Sequence, residues 1–335
     1  MVGAAVLVAA SVSGTGEQPP KPIETAIPGP HFGAPRAGPF SPAEIRRRTR
    51  PLGAGAPAWA RRLYRRSIRV LVALTDPRSG AMIAGERSGW DYVWPRDAAA
   101  GAIALHAAGL APEASRVAGF LGRLNLDAAR FYPDGGRVPG RPEAGDAAGW
   151  VAAAIRATGG GASTPAGDWR GRQDYGENVT GDLLANAIAA GAPAPKIRSQ
   201  FESTRGLIRE RGSAELDSAA AWAVVPFSDP GLRSAARRTL LALARESTPV
   251  GTPPIEGWTL GQVWTAPTAW SAWALVKLGE LRAADRLLAE LRRATTPDGT
   301  LPERVSSADG RPTSTTPLAW SHAFAILALR ARYPG

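Results

Sequence analysis

Residues 97–124 read DAAAGAIALHAAGLAPEASRVAGFLGRL, and this stretch decides the fold. Two runs, 97–109 and 112–124, are each long enough for a helix and are joined by no more than two or three residues. Ala and Leu dominate, and Gly and Pro mark the turn between them. The spacing predicts a helical hairpin. A second hairpin is predicted at 266–278 and 281–294. Between and around them the pattern repeats. From Ala58 onward, Leu63, Ile68, Val70, Leu71 and Leu74 fall on one helical face, which stops at Thr75-Asp76-Pro77. Further helices are predicted over 146–157, 181–190, 196–210, 216–224, 230–246 and 317–332. The best alternating stretch, Ala81 to Ala84, is too short to found a sheet. Repeated helical hairpins without a fixed sequence period predict an all-α toroid or solenoid of stacked pairs.

Bulk properties narrow the function classes. The chain has 335 residues, 44% of them hydrophobic, which is ample for a packed core. Its formal net charge is +11, a balance that suits nucleic-acid binding. The excess is almost wholly Arg, scattered along helices such as Arg61, Arg62, Arg65, Arg66 and Arg69, so it reads as compositional bias and no nucleic-acid partner is expected. Cysteine is absent and the three histidines, His31, His106 and His322, lie far apart, so neither a disulfide framework nor a metal centre is expected. No apolar run reaches the roughly 18 residues of a membrane span. Residues 1–56 read as a signal-like leader and a Pro/Gly-rich linker: Val2 to Val12 is small and apolar, and a Pro-rich tract runs from Gln18 to Pro57. That order predicts a secreted or envelope-associated protein, with a cytoplasmic one as the alternative. The folded domain is expected over 57–335.

Polar and aromatic residues gather in the loops ahead of helix starts, where they would line one end of a helical barrel. Trp90-Asp91-Tyr92-Val93-Trp94-Pro95-Arg96-Asp97 leads into an Ala-rich helix, with Asp97 expected as its N-cap. Alternation would place Trp90, Tyr92 and Trp94 on one side, and Arg96 with Asp97 suits a hydroxyl-rich ligand. Gly140 to Trp150 is a second such loop and contains Asp146. The Gly-rich loop Gln173 to Asp182 contains Asp174 and Glu177, which read alone could be turn chemistry. Gln262 to Trp270 contains Trp264, and Leu301-Pro302-Glu303-Arg304-Val305 precedes a helix bearing Trp320. A Glu held after Pro ahead of a Trp-bearing helix is a reasonable frame for a catalytic carboxylate. There are 11 Trp in all, and the plainer reading of any one of them is core or rim.

Together these segments resemble glycoside hydrolase family 15, the glucoamylases, glucodextranases and related trehalose hydrolases, over roughly residues 58–333. WDYVWPRDAA is similar to that family's Trp-x-Arg-Asp segment, LPERV with PLAWSHA to its Pro-Glu-Gln-Val and Pro-Leu-x-Trp-Ser-His pair, and VWTAPTAW to a subsite-lining segment. GRPEAGDAAGW looks like the loop that carries Gln-x-Asp ahead of an inner helix. The resemblance implies an (α/α)6 barrel, a six-hairpin toroid, and exo-acting hydrolysis of α-glucosides with inversion. It implies Glu303 as general base and Glu177 as general acid. Trp90, Asp91, Trp94, Arg96, Asp97, Asp146, Asp174, Trp264 and Trp320 are implied as substrate-binding residues. The acid segment departs from the family's Leu-Trp-Glu-Glu: Gly176 stands for Trp and Asn178 for the second Glu, and Glu210 is a poorer second candidate.

The implied chemistry needs no metal or cofactor. Glu177 would be kept protonated by apolar, aromatic surroundings, and Glu303 would be ionised to activate water on the opposite face of the sugar. An inverting pair leaves roughly 6.5–9.5 Å between its carboxyl groups for that water. The expected partner is an α-linked glucose oligosaccharide or disaccharide, including trehalose, handled by a monomer. Two alternatives come from other classes. One is a catalytically silent glycan-binding protein of the cell envelope, which the altered acid segment favours. The other is a toroid phosphorylase or lyase, for which His322 is the His in a plausible loop.

Overall fold

The computed structural model describes residues 42–335, apart from 88, 163–167, 180 and 259. Eleven α-helices are described: α1 Pro42–Arg48, α2 Ala58–Ala73, α3 Pro95–Ala107, α4 Ala111–Leu121, α5 Ala147–Ala157, α6 Leu184–Ala189, α7 Ala194–Phe201, α8 Arg233–Arg245, α9 Thr265–Lys277, α10 Leu281–Arg293 and α11 Ala319–Arg332. A 3-10 segment, Ser218–Ala223, stands between α7 and α8. The inner ring closes on itself: α3 packs on α5, α5 on α6, α6 on the 3-10 segment, that segment on α9, α9 on α11, and α11 back on α3. Outside it, α2 packs on α11, α4 on α3, α7 on α6, α8 on the 3-10 segment, and α10 on α9. Among the described residues, the span between α5 and α6 carries no outer helix. The chain is therefore an all-α (α/α)6 toroid with one outer position unfilled by helix.

Sequence explains which helix goes where. A helix surrounded by neighbours must be apolar all round, whereas one on the outside needs only a stripe. In α3, α9 and α11 the first eleven residues are all buried. In α10 the buried set is Ala284, Leu287, Leu288, Glu290 and Leu291, while Arg282, Arg286, Arg292 and Arg293 are exposed. Small residues let the inner helices approach closely. A Cβ on Gly149 of α5 would lie 1.8 Å from the Ala189 carbonyl oxygen of α6, so only Gly fits there. Indoles fill the axis of the ring. Trp150, Trp222 and Trp270 are fully buried, and Trp320 closes the group, with ring centroids 5.2 Å (150–222), 5.5 Å (222–270) and 4.8 Å (270–320) apart. Their edge-on geometry suits the aromatic quadrupole.

Four local expectations give way. The helix expected over 196–210 ends at Phe201, because Glu202 pairs back with Leu207 across a turn whose Gly206 has φ +145°. The stretch 216–224 forms a 3-10 segment. Asp97 is not an N-cap: Trp94 holds that position with Pro95 after it, and Asp97 lies in the first turn. The stretch read as linker contains α1, and Ile45, Leu52 and Ala56 join the main core, so packing reaches back to Ile45. The leader reading of the residues before 42, and His31 with it, lies outside the described residues.

The loops preceding the inner-ring segments are tied into a belt at one end of the toroid. The Ala319 N–H donates to the Ala84 carbonyl (2.7 Å), and Ala144 bridges Gln173. Leu183 bridges Glu210, and Asp217 bridges Ile255. A two-stranded antiparallel ribbon, β1 Gln262–Trp264 and β2 Arg304–Ser306, joins the last two loops and sets Trp264 opposite Arg304. Sequence reading places no strand there.

Candidate active site

The belt surrounds a layer of buried charge lying against the indole plug. Arg96, 6% exposed, donates from Nη1 to Asp146 Oδ2 (3.1 Å) and lies 3.3 Å from Asp97 Oδ2. Its guanidinium carbon sits 4.5 Å from the Trp320 ring centroid, so this face of the ring is covered by Arg96. Asp146 stands at the N-cap position of α5 but makes no cap bond; its side chain holds Arg96 instead. Burial pushes the Asp97 carboxyl up to about 7 against the pull of Arg96, with the charges of Glu303 and Asp146 adding to the rise.

Asp174 is 2% exposed and fully engaged: Oδ1 accepts from the Gly176 and Asn178 N–H groups (2.8 and 3.0 Å), and Oδ2 from Arg209 (2.9 Å). It therefore shapes the 174–178 turn. Two residues beyond the sequence reading complete this layer. Asp217 accepts from the Tyr175 hydroxyl (2.8 Å) and the Ala219 N–H (2.7 Å), and burial lifts it to about 6. Arg209 faces both aspartates. Both had been placed in stretches predicted helical, so no motif drew attention to them. Glu210, the second acid candidate, pairs its backbone with Leu183.

Glu303 is held from all sides. Its backbone N–H donates to the Thr315 carbonyl (2.9 Å) and its carbonyl accepts from the Thr265 N–H (3.0 Å). The preceding Pro302 carbonyl accepts from the Thr265 hydroxyl (2.6 Å) and the Ser321 hydroxyl (3.3 Å). The Leu301 N–H donates to Nε2 of His322 (3.0 Å), so the other ring nitrogen carries the proton and donates to the Ser67 hydroxyl (2.9 Å). Burial drives His322 down to about 3, which keeps it neutral in this role. His322 is fully buried within α11 and does not lie in a loop. The Glu303 carboxylate accepts from Ser314 and the Trp90 indole, and lies 3.3 Å from the Arg304 guanidinium. Burial raises its pKa; Arg304 and Ser314 oppose the rise, and the charge of Glu177 adds to it.

Glu177 has a different setting. It occupies a left-handed conformation (φ +65°), its side chain is 45% exposed, and it is ion-paired with Arg141. The expected apolar surroundings are absent, because the 174–178 turn lifts it to the rim. Arg141 in turn lies 5.3 Å over the Trp94 ring. Trp94 is buried, and Trp264 lies beneath Arg304 at 5.6 Å with Trp258 edge-on at 6.0 Å. Asp91 accepts from the Gly89 N–H (3.0 Å), closing its own turn. The structure thus brings Arg96, Asp97, Asp146 and Trp320 into one contact group. Trp90 joins Glu303, Trp264 joins Arg304, and Glu177 faces Glu303 within electrostatic reach. Among the described residues, no group of three or more His, Cys, Asp or Glu is placed to hold a metal ion, and no helix is long and apolar enough to cross a membrane.

No family model matches the chain, and no curated protein matches it in sequence. Solved structures do match in fold. A wild-type glycosidase superposes with a TM-score of 0.66 at 18% identity, covering 88% of this chain and 99% of that one. A bacterial glucoamylase complexed with acarbose gives 0.65 at 16% identity, over 81% of this chain and 55% of that one. Glucoamylase from Saccharomycopsis fibuligera gives 0.64 at 16%, over 82% and 94%. At these identities the likeness establishes the fold: this is an (α/α)6 toroid of the glucoamylase kind.

Proposed function

We propose that the protein is a glycoside hydrolase that releases glucose from the non-reducing end of α-linked oligo- or polysaccharides or of trehalose, with inversion. The observation that carries the reading is Glu303: a carboxylate only 15% exposed, fixed through its backbone and within electrostatic reach of Glu177. In the proposed step, Glu303 takes a proton from water as the water oxygen bonds to the anomeric carbon. The glycosidic C–O bond breaks, and the leaving oxygen receives the proton of Glu177. Arg96 and Asp97 would orient the glucose, with Trp90 and Trp264 beside it. We take the protein to be secreted or envelope-associated and to act as a monomer.

The Arg141–Glu177 ion pair favours a second reading, a silent glycan-binding protein, because the candidate acid is engaged by a guanidinium at an exposed position. The two are separated by incubating the protein with maltooligosaccharides, isomaltooligosaccharides and trehalose while recording proton NMR spectra. Early appearance of β-glucose supports inverting hydrolysis, and early α-glucose overturns it. Absence of product, with sugar-dependent thermal stabilisation, supports the silent protein.

A further inference from the structure

The rim carries more positive charge than the proposed chemistry uses. Arg130 lies over Tyr92 (4.8 Å to the ring centroid) and Trp94 (5.8 Å), and Arg141 lies over the same Trp94. The pairing of Val93 with Phe131 sets Arg130 beside this aromatic shelf, and Tyr132 meets Tyr92 edge-on at 5.5 Å to extend it. Among the described residues Arg130 forms no ion pair, and its Nε is buried without a hydrogen-bond partner. Burial and the neighbouring charge of Arg141 both lower its pKa. Two guanidinium groups stand near Glu177, then: Arg141 pairs with it, and Arg130 lies within its electrostatic reach without pairing. Guanidinium groups left with surplus donors in a half-desolvated site are suited to a planar or tetrahedral oxyanion.

We infer that Arg130 and Arg141 form an anion-binding subsite, and that the substrate carries a carboxylate or phosphate on its leaving-group side. This rests on the hydrolase reading for its placement, because Glu177 marks the leaving oxygen and the two arginines flank Glu177. The substrate anion takes over the pairing of Arg141. Glu177, released from its ion pair, then takes up a proton from solvent and passes it to the leaving oxygen, so the acid is armed by the substrate it cleaves. A neutral disaccharide leaves Arg141 on Glu177.

The test compares pairs that differ by one anionic group on the leaving side: maltobionate with maltitol for the carboxylate, and trehalose 6-phosphate with trehalose for the phosphate. In the wild-type protein kcat/KM for at least one anionic member exceeds that for its neutral partner by about tenfold or more. In Arg130→Gln and Arg141→Gln, with melting temperatures checked, that ratio falls to about twofold or less. The ratio also falls with added salt. Equal or better use of both neutral members by the wild-type protein overturns the inference, as does a ratio that neither substitution changes. If none of the four is hydrolysed, the hydrolase reading is the one that fails for these linkages, and calorimetry with the same sugars decides the subsite. Anion-selective binding lost in Arg130→Gln supports it, and unselective or undetectable binding overturns it.

Discussion

The two sides of this rim treat their carboxylates in opposite ways. On the α11 side, three consecutive backbone positions ahead of β2 are anchored to two inner helices and, through His322 and Ser67, to outer helix α2. On the α6 side, Glu177 is carried on a turn organised by Asp174, at φ +65°, with its side chain half-exposed and paired with Arg141. A base that must hold one water against one carbon benefits from a fixed position. An acid that must follow a departing oxygen can tolerate an adjustable one. On the proposed mechanism, the base Glu303 would be the rigid half of the pair and the acid Glu177 the adjustable half.

The comparison breaks most readily at Glu303. Glu303→Gln keeps the anchored backbone and removes the base, so glucose release should fall about a thousandfold with the melting temperature nearly unchanged; turnover at the wild-type level would remove Glu303 from the mechanism. Glu177→Gly should cost about a hundredfold in turnover and yet raise stability by up to about 1 kcal/mol, because Gly adopts the left-handed conformation without strain. Loss of stability there would mean that the ion pair with Arg141 outweighs the backbone term. His322→Leu strands the Leu301 N–H and the Ser67 hydroxyl, so about 2–4 kcal/mol should be lost at neutral pH. Turnover should drop about tenfold through kcat with KM little moved, and Gln at this position should restore part of both.

His322 also carries a pH signature. Its value falls from 6.5 to about 3 on folding, so the unfolded chain binds the proton first. Its contribution is fully present above pH 6.5 and is lost as the pH falls through that window towards 3, by an amount on the order of a few kcal/mol. The Leu variant should flatten this part of the stability profile. The smallest effect is expected at Arg304. Its charge opposes the burial-driven rise of Glu303, so Arg304→Gln should move the acid limb of the kcat/KM profile to higher pH by less than about one unit. A shift to lower pH would mean that Arg304 does not act on Glu303.

The helices legible in the sequence are those whose burial is written into local composition. α3, α9 and α11 are continuous Ala-rich runs, and α10 shows a clear stripe, so period and propensity agree. The helix predicted over 181–190 appears as the shorter α6 and that over 216–224 as a 3-10 segment; their lengths and type are not legible, because they are set by the ring they close. The site divides along the same line. Arg96 and Asp97 sit at a helix start marked by Pro95, and Glu303 follows Pro302 directly ahead of β2, so residue type and position both speak. Asp217, Arg209 and Arg130 are brought in by tertiary pairing alone, and Arg130 follows nothing more distinctive than Ala128-Ala129. Tryptophan misled in part: Trp320 reads as a sugar platform, but its exposed side is taken by Arg96 and its edges by Trp270 and Phe324.

The packed indoles along the axis have a consequence for how a polymer would be handled. Trp150, Trp222 and Trp270 leave the ring without a bore, so a chain cannot thread through it and must back out the way it came in. On the proposed activity, each encounter would deliver one tip and remove one unit. Rate would then scale with the number of chain ends in solution and not with the mass of glucan. A debranched, lightly shortened starch would be consumed faster than the same weight of long chains.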